Sequence, residues 1–242
     1  MGHILLLAGS AEARKIAVAL RAQGRAMRIL MSEPPRGLAP MPAPFEVCEN
    51  LSLPMLAEAV KGAVAVLDAS HGFDGKMTQL AFRAAHDADV PFLCLSRPAW
   101  DVSEHPRWQR AADVASAMTL IAPSARVFSA TGWASLPEYA GFPGACLMLR
   151  QTSPHDRPPP FDFVELIFGT PPFTVPHEIA LFEELKVDTL IARNLGGLPS
   201  RPKLEAAKAL DLKVILIDRP PLPEAAPVVN CVEDTLAWVA SL

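Results

Sequence analysis

The sequence predicts an α/β protein with two lobes, and two observations along its 242 residues support this. Continuous apolar runs such as HILLLA and AVAVL alternate with amphipathic, helix-length segments such as EARKIAVALRAQG. This alternation is typical of parallel sheets that helices cover on both faces. The rhythm breaks at SRPAWDVSEHPRWQR and restarts at ARVFSAT, which indicates a second lobe. We therefore expect two Rossmann-like lobes with parallel sheets and an inter-lobe cleft that binds a ligand.

The elements of each lobe follow from this alternation. In the N-terminal lobe, residues 1–122, we expect strands at HILLLA, AMRILMS, AVAVL and PFLCLS, and helices at EARKIAVALRAQG, MLAEAVKG and KMTQLAFRAAHDADV. In the C-terminal lobe, residues 123–242, we expect strands at ARVFSAT, ACLMLRQ, DFVELIFG, DTLIAR and KVILI, and helices at HEIALFEELKV, PKLEAAKALD and DTLAWVASL. Many of the 25 prolines cluster between these elements, where a missing backbone N–H does least harm.

Composition narrows the class of protein. A net charge of −4 and a pI near 5.9 give no long-range attraction to nucleic acid or to an acidic membrane surface. No apolar stretch approaches the ~18 residues that a membrane span needs, and the N-terminus is too poor in basic residues for a secretory signal. The four cysteines lie far apart, which is typical of reduced thiols. We therefore expect a cytoplasmic protein, a monomer or weak homo-oligomer, that acts on a small molecule.

A turn of small residues links the first predicted strand to the first helix. It consists of Gly9, Ser10, Ala11, Glu12, Ala13 and Arg14. The N–H groups at a helix start, together with the helix dipole, bind phosphate. The turn departs from the GxGxxG fingerprint at Ala11 and Arg14, and a purely structural role with Ser10 as N-cap remains open. If the turn binds a phosphate, we expect Gly9→Val to abolish that binding with little loss of fold.

Polar residues also follow the predicted strand AVAVL, in the segment Asp68-Ala69-Ser70-His71-Gly72-Phe73. Ligands of open α/β sheets bind outside the carboxyl ends of the strands, which favours a functional role for Ser70 and His71. The alternative is that an Asp or a Ser here merely caps the helix that starts near Gly75. After the strand PFLCLS, Arg97 and Trp100 combine a cation with an aromatic ring, which suits a flat anionic ligand.

The second lobe has comparable segments at its strand ends. Thr131-Gly132-Trp133 forms a tight polar turn after ARVFSA. The stretch from Arg193 through Asn194 to Gly197, followed by Arg201 and Lys203, places backbone donors and three cations between a strand and a helix. Other chemistry has no support: the six histidines lack metal-binding spacing, and there is neither a GxSxG elbow nor a P-loop. We expect no metal site.

Several of these segments resemble one known family, the precorrin-6A reductases. The opening is similar to the family's G-G-T-x-E-A-R motif, DASHGF to its D-A-T-H-P-F and SRPAW to its E-R-P-x-W. ARNLGG, KLEAA and IDRP are similar to T-K-N-S-G-G, K-L-x-A-A and I-x-R-P, in the same order, so the resemblance runs from Leu5 to about Pro223. The sequence departs from the family where Ala8 and Ser10 replace Gly and Thr, Gly72 replaces Pro, and Arg193 and Leu195 replace Lys and Ser.

The resemblance implies hydride transfer from NADPH to precorrin-6A, a tetrapyrrole of cobalamin synthesis, to give precorrin-6B. We assign the pyrophosphate to Gly9–Ala13 with Arg14 nearby, and the nicotinamide half to Ser70, His71, Thr131 and Gly132. We assign the substrate to Arg97, Trp133, Arg193, Asn194, Gly197, Arg201, Lys203 and Arg219. His71 is the candidate proton donor, and solvent is an equal alternative. The competing hypothesis is a non-redox nucleotide-binding module or a nucleotide-sugar glycosyltransferase.

The choice of cofactor depends on the end of the second strand, AMRILMSEPPRG. In dinucleotide folds an acidic residue there binds the ribose of NAD, whereas a nearby Arg accommodates the 2′-phosphate of NADP. Ser32, Glu33 and Arg36 compete for this role. We expect Pro34 and Pro35 to turn Glu33 towards solvent, which leaves Ser32 and Arg36 to bind the phosphate of NADPH.

Overall fold

The computed structural model describes residues 2–35, 40–48 and 50–242. It divides into two compact units. The first unit combines Met1–Pro98 with Pro220–Leu242, and the second unit is Ala99–Arg219. In the described part of the chain, no helix is both long and apolar enough to cross a membrane.

The elements are numbered here in chain order, apart from two short 3-10 helices. The strands are β1 His3–Ala8, β2 Met27–Met31, β3 Phe45–Val47, β4 Ala63–Ala69, β5 Phe92–Leu95, β6 Trp108–Ala111, β7 Arg126–Ala130, β8 Cys146–Gln151, β9 Val164–Phe168, β10 Thr189–Arg193, β11 Lys213–Ile217 and β12 Val228–Val229. The α-helices are α1 Ala11–Ala22, α2 Leu53–Val60, α3 Gly75–Asp87, α4 Val114–Met118, α5 Val175–Glu184, α6 Pro202–Ala209 and α7 Val232–Ala240. The 3-10 helices are Val102–Glu104 and Trp133–Tyr139.

The sheet of the first unit is parallel throughout, in the order β3-β2-β1-β4-β5-β12. Side chains of β1 alternate between its two faces, as the period of a strand requires. Ile4 and Leu6 pack in the cluster that contains α1 and Val239 of α7. Leu5 and Leu7 pack in the cluster that contains α2 and α3. The continuous apolar run at the N-terminus is therefore explained by a strand buried on both faces.

The sheet of the second unit repeats this arrangement, in the order β9-β8-β7-β10-β11-β6. All its strand pairs are parallel. Its larger core cluster contains Phe128 of β7, Met148 of β8, Phe182 of α5 and Leu204 of α6. The predicted fold class, α/β with two parallel sheets flanked by helices, is confirmed.

The predicted boundary near Pro123 differs from the division in the structure. The strand β6 and the helix α4 precede Pro123 but belong to the second unit, because β6 pairs with β11. The strand β12 and the helix α7 come last in the chain but belong to the first unit, because Val228 and Val229 pair with Cys94 and Leu95 of β5. In each sheet, one of the two edge strands comes from the other half of the chain. No single boundary in the sequence therefore separates the two units.

Candidate functional site

The candidate site of the first unit lies where its sheet reverses strand order. The strands β1 and β4 are neighbours at the centre of the sheet, and their ends align, with Ala8 opposite Ala69. The connection from β1 leads towards β2, whereas that from β4 leads towards β5. Parallel α/β sheets bind their ligands at such a switch point, outside the carboxyl ends of the strands. Both polar segments predicted from the sequence lie here.

Ser10 fixes the turn between β1 and α1. Its hydroxyl accepts a hydrogen bond from the N–H of Ala13 at 3.1 Å and donates one to the carbonyl of Ala69 at 2.8 Å. Ser10 is thus the N-cap of α1 and also joins the ends of β1 and β4. The N–H of Ala13 is used by this cap, while those of Ala11 and Glu12 have no partner inside the helix. These two groups and the positive end of the helix dipole form the part of the turn suited to an anion.

A glycine is required at position 9 because the turn after β1 and the loop after β4 approach each other closely. A Cβ atom on Gly9 would lie 2.5 Å from the backbone nitrogen of His71 and 3.1 Å from the carbonyl carbon of Ser70. The expectation that Gly9→Val leaves the fold largely intact is therefore wrong. Any side chain at this position must displace the loop after β4 as well as enter the space of a ligand.

Charged side chains flank the start of α1. Glu12 and Arg97 form an ion pair with 3.4 Å between Nη1 and Oε2, and their side chains are only 13% and 15% exposed. Arg97, predicted to bind a substrate carboxylate, thus pairs with a carboxylate of its own unit. The Nε of Arg14 is buried without a hydrogen-bond acceptor among the described residues. An unsatisfied buried donor beside a helix N-terminus fits the phosphate group that the sequence predicts here.

Asp68 supports the loop after β4. Its carboxylate is almost fully buried and accepts hydrogen bonds from the N–H of Ser70 at 3.0 Å and the hydroxyl of Thr78 at 2.6 Å. Burial raises the pKa of this carboxyl, and the hydrogen bonds oppose that shift. The helix α3 is capped by Asp74, which accepts from the N–H of Met77 at 3.2 Å. The structural alternative, an Asp that caps this helix, is confirmed for Asp74, which directly follows the predicted segment.

His71 is half-buried, and its ring is oriented by the backbone. Its Nδ1 accepts a hydrogen bond from the N–H of Phe73 at 3.2 Å. In the neutral imidazole this contact places the ring proton on Nε2. Of the two ring nitrogens, Nε2 is then the hydrogen-bond donor.

The end of β2 holds the residues that bear on cofactor choice. Ser32 directly follows β2 and is half-buried, whereas Glu33 is exposed. The prediction that the chain turns Glu33 towards solvent is confirmed. Arg36, the predicted partner of the 2′-phosphate, lies outside the described residues.

The switch point of the second unit, between β7 and β10, is built differently. Thr131 is buried, and its hydroxyl lies 2.8 Å from that of Ser129, 2.6 Å from that of Ser135 and 3.3 Å from that of Tyr139. Gly132 has a φ of +86°, a conformation that favours glycine, and its carbonyl accepts from the hydroxyl of Ser135 at 2.7 Å. The side chain of Thr131 therefore holds its own turn together, while its contact with the cofactor stays a prediction.

Asn194 and Trp100 also have structural roles. The Asn194 side chain accepts from the N–H of Trp100 at 2.8 Å and donates to its carbonyl at 3.0 Å, while 2% of the residue is exposed. The indole N–H of Trp100 donates to the carbonyl of Gly197 at 3.2 Å. Both the oxygen and the nitrogen of the Asn194 amide are hydrogen-bonded to the Trp100 backbone, and its contact with substrate stays a prediction. Trp100 is a buried core residue rather than a stacking surface.

The predicted cations of the second unit have different surroundings. Arg201 pairs with Glu104, with 3.0 Å between Nη1 and Oε1, and with Glu205, with 2.5 Å between Nε and Oε1. These partners, Glu104 first, raise its pKa. Arg201 is thus engaged in an internal ion-pair network, and its contact with substrate stays a prediction. Arg193 ends β10 and Arg219 follows β11, both half-buried at the carboxyl edge of the sheet.

Two charged residues that the sequence reasoning missed accompany Lys203. The side chains of Arg150 on β8 and Glu178 on α5 form an ion pair of 3.1 Å, and they are only 7% and 1% exposed. Lys203, in the first turn of α6, donates to the carbonyl of Ser200 at 2.7 Å. The signal in the sequence was a single arginine in the strand ACLMLRQ, on the same face as Met148.

Trp133 is half-buried, and its ring stands edge-on to that of His155, with 4.7 Å between the centroids. Among the described residues, no group of three or more His, Cys, Asp and Glu side chains is arranged to hold a metal ion.

Comparison with known proteins gives one consistent result. The family model described as Precorrin-6x reductase CbiJ/CobK matches residues 3–240. Precorrin-6A reductase of Rhodococcus erythropolis is 34% identical and aligns over 100% of this chain and 99% of its own length. The enzyme of the same name from Rhodobacter capsulatus is 30% identical, over 99% of this chain and 96% of its own length. A solved structure titled CobK precorrin-6A reductase superposes with a TM-score of 0.90 at 28% identity, covering 100% of this chain and 97% of that one.

These matches confirm the resemblance carried by the short sequence motifs. They extend it from separate segments to the whole chain, because both the family model and the relatives cover nearly every residue. The superposition extends it to the fold of both units. This protein is therefore an oxidoreductase that belongs to the precorrin-6x reductase family.

Proposed function

We propose that this protein reduces precorrin-6A to precorrin-6B in cobalamin biosynthesis, with NADPH as the hydride donor. Family membership supports the reaction class and the tetrapyrrole substrate. The observation that carries the cofactor assignment is the turn after β1, where a capped helix start, a close-packed Gly9 and the unsatisfied Nε of Arg14 meet. Such a site needs an anion to complete it.

The residues of the first unit hold the cofactor in this proposal. The N–H groups of Ala11 and Glu12 bind the pyrophosphate, and Arg14 adds positive charge. The Glu12–Arg97 pair keeps the carboxylate of Glu12 neutralised, so that it does not repel the phosphates. When bound, NADPH supplies the hydride, and the protein supplies orientation and exclusion of water.

The loop after β4 serves the nicotinamide half. Asp68 holds the N–H of Ser70, and Gly9 lets the backbone of Ser70 and His71 approach β1 closely. We propose that Ser70 and His71 contact the cofactor, and that His71 or solvent donates the proton that follows hydride addition. A His71 that donates this proton starts as the imidazolium, which carries a proton on both ring nitrogens and therefore gives up the hydrogen bond from the Phe73 N–H.

NADPH is favoured over NADH by the end of β2. An inward carboxylate would repel a 2′-phosphate, but Glu33 is exposed. The half-buried Ser32 provides a hydroxyl for that phosphate, and Arg36 provides the charge.

The second unit binds the substrate in this proposal. Precorrin-6A is a macrocycle with carboxylate side chains, and such groups pair with dispersed cations. Arg193, Lys203 and Arg219 follow or face the carboxyl ends of β10 and β11, where they meet this requirement. Trp133 and Gly197 complete the substrate set, while Arg97 is reassigned to the cofactor.

We propose a cytoplasmic location and a monomer or weak homo-oligomer. The four cysteines are free thiols, which suits a reducing compartment.

Ligand-dependent thermal unfolding tests the proposed function directly. NADPH at 100 times its Kd stabilises the folded protein by about 2.7 kcal/mol, which raises the melting temperature measurably. We expect clear protection by NADPH, weaker protection by NADH and none by a nucleotide sugar. Precorrin-6A added with NADPH must then be reduced, as followed by loss of NADPH absorbance. Protection by the nucleotide sugar, or no consumption of NADPH, would contradict the proposal.

A further inference from the structure

Three aromatic side chains meet at the carboxyl ends of β7, β8 and β9 in the second unit. Trp133 follows β7, His155 follows β8 and Phe168 ends β9. The ring of His155 stands edge-on to that of Trp133, with 4.7 Å between the centroids, and edge-on to that of Phe168, with 5.4 Å. Edge-to-face pairs at these distances attract each other. The three rings therefore form one aromatic patch, with His155 at its centre.

The aromatic patch is accessible from solvent. Phe168 is 47% exposed, and Trp133 and His155 are half-buried. Ligands of parallel α/β sheets bind outside the carboxyl ends of the strands, which is where the patch lies. On the same edge of this sheet Arg193 ends β10, the strand that pairs with β7. Aromatic rings beside a cation suit a conjugated macrocycle that carries carboxylates.

Both ring nitrogens of His155 are engaged. Its Nδ1 accepts a hydrogen bond from the N–H of Arg157 at 3.3 Å. In the neutral imidazole Nε2 then carries the proton, and it donates to the Oε1 of Gln151 at 3.4 Å. Gln151 is itself fixed at the end of β8, where its carbonyl accepts from the N–H of Gly169 at 3.0 Å. The orientation of the His155 ring is therefore set by the backbone and by a buried amide.

Stability does not explain why residue 151 is a glutamine. Gln151 is 7% exposed, and its Nε2 is buried without a hydrogen-bond acceptor in the part of the chain that the structure describes. An unpaired buried donor costs folding free energy that an apolar side chain would avoid. Leu147 and Leu149, on the same face of β8, are fully buried and apolar. The amide is thus kept at a cost, and its Oε1 is the atom that holds His155.

We propose that the aromatic patch binds a face of the precorrin-6A macrocycle, and that Gln151 and His155 are positioning residues for it. Trp133 and Phe168 pack against the conjugated rings of the substrate. His155 holds these two side chains in the required orientation, and Gln151 locks His155. This inference rests on the proposed function, because it takes the tetrapyrrole as the substrate of this protein.

The patch is tested in the full-length enzyme by the KM and kcat for precorrin-6A at saturating NADPH. Phe168→Ala removes an exposed ring and so disturbs the fold little. We expect KM to rise about three- to tenfold with kcat unchanged, because a stacking contact is lost. Phe168→Tyr keeps the ring and retains the native KM. Phe45→Ala removes a similarly exposed ring from β3 of the first unit, and as the control it leaves KM native.

Gln151→Leu tests the positioning role. Leucine removes the unpaired donor, so we expect a melting temperature equal to the native value or higher. His155 loses its acceptor, and KM should rise about three- to tenfold as the rings lose their orientation. The kcat and the Kd for NADPH should stay within about twofold. A merely structural role predicts the opposite, which is a lower melting temperature with a native KM.

A native KM in either Phe168→Ala or Gln151→Leu would overturn the inference. A Gln151→Leu chain that does not fold would also overturn it, because the amide would then be required for stability. Failure of the proposed function is distinguishable, because the native enzyme would then not consume NADPH with precorrin-6A at all.

Discussion

The two units share one strand order but differ at the switch point. In the first unit β1 leads into α1, a twelve-residue helix capped by Ser10. In the second unit β7 leads into the 3-10 helix Trp133–Tyr139, which contains Pro137, and the hydroxyl groups beneath it bond to one another. A regular helix start offers free N–H groups to an anion, whereas a turn filled by its own hydroxyls does not. We therefore propose that the same topology serves the cofactor in the first unit and the substrate, through side-chain cations, in the second.

The largest expected effect comes from Gly9→Val, which breaks the first of these switch points. The new side chain overlaps the backbone of Ser70 and His71, since even a Cβ would lie 2.5 Å from the His71 nitrogen. We expect loss of measurable NADPH binding together with destabilisation by about 1–3 kcal/mol. Calorimetric titration and thermal unfolding measure the two effects. Val18→Ala, at an exposed site on α1, is the control, and full NADPH affinity in Gly9→Val would refute the assignment.

Arg97→Met tests whether Arg97 supports binding of the cofactor or of the substrate. It leaves the poorly exposed carboxylate of Glu12 uncompensated beside the phosphate site. We expect the Kd for NADPH to rise ten- to a hundredfold, because interactions with charged groups contribute about 1.5–3 kcal/mol. The KM for precorrin-6A at saturating NADPH should change little. A variant that loses substrate affinity instead would return Arg97 to the substrate set.

Thr131→Val tests the second switch point. It removes one hydroxyl from the cluster and leaves those of Ser129 and Ser135 with fewer partners. We expect destabilisation by about 1–3 kcal/mol and a nearly native Kd for NADPH. Denaturant unfolding measures the change in stability, and cofactor titration measures the Kd for NADPH. If cofactor affinity falls while stability is native, the hydroxyl contacts the cofactor after all.

The smallest effect concerns cofactor choice. Arg36→Glu should reverse much of the preference for NADPH over NADH, since it replaces the charge that pairs with the 2′-phosphate. The measurement is the ratio of kcat/KM for the two cofactors. Glu33→Gln, at an exposed position, is the matched control and should leave the ratio near its native value. An unaltered ratio in Arg36→Glu would remove Arg36 from the site.

The sequence predicted the parts of the fold that depend on local pattern. Apolar runs located β1, β4 and β10 because strands buried on both faces are continuous in apolar residues. The pairing of β12 with β5 and of β6 with β11 left no such signal, since a two-residue strand and a charged strand look like loops. Long-range pairing is set by packing of the finished sheets, which a local pattern does not contain.

The sequence predicted where the candidate residues lie better than it predicted what each residue contacts. Gly9, Ser70 and Arg97 all lie at strand ends, as expected from their place after apolar runs. The partners of such residues could not be predicted from local sequence. Glu12 and Arg97 are 85 residues apart, and Asn194 and Trp100 are 94 residues apart. Arg150 was not predicted as a site residue because the rest of its strand is mostly apolar, which is typical of a buried core strand. Whether a cation faces a ligand or an internal carboxylate depends on contacts that only the folded chain makes.

The account rests on NADPH binding at the start of α1, and amide hydrogen exchange tests this most directly. The N–H groups of Ala11 and Glu12 lack partners within the helix, so they exchange readily until a pyrophosphate occupies them. The account predicts that saturating NADPH slows exchange most strongly in peptides covering residues 9–14, with a weaker effect on residues 68–73. No slowing at residues 9–14, or a larger effect at residues 131–139, would contradict it.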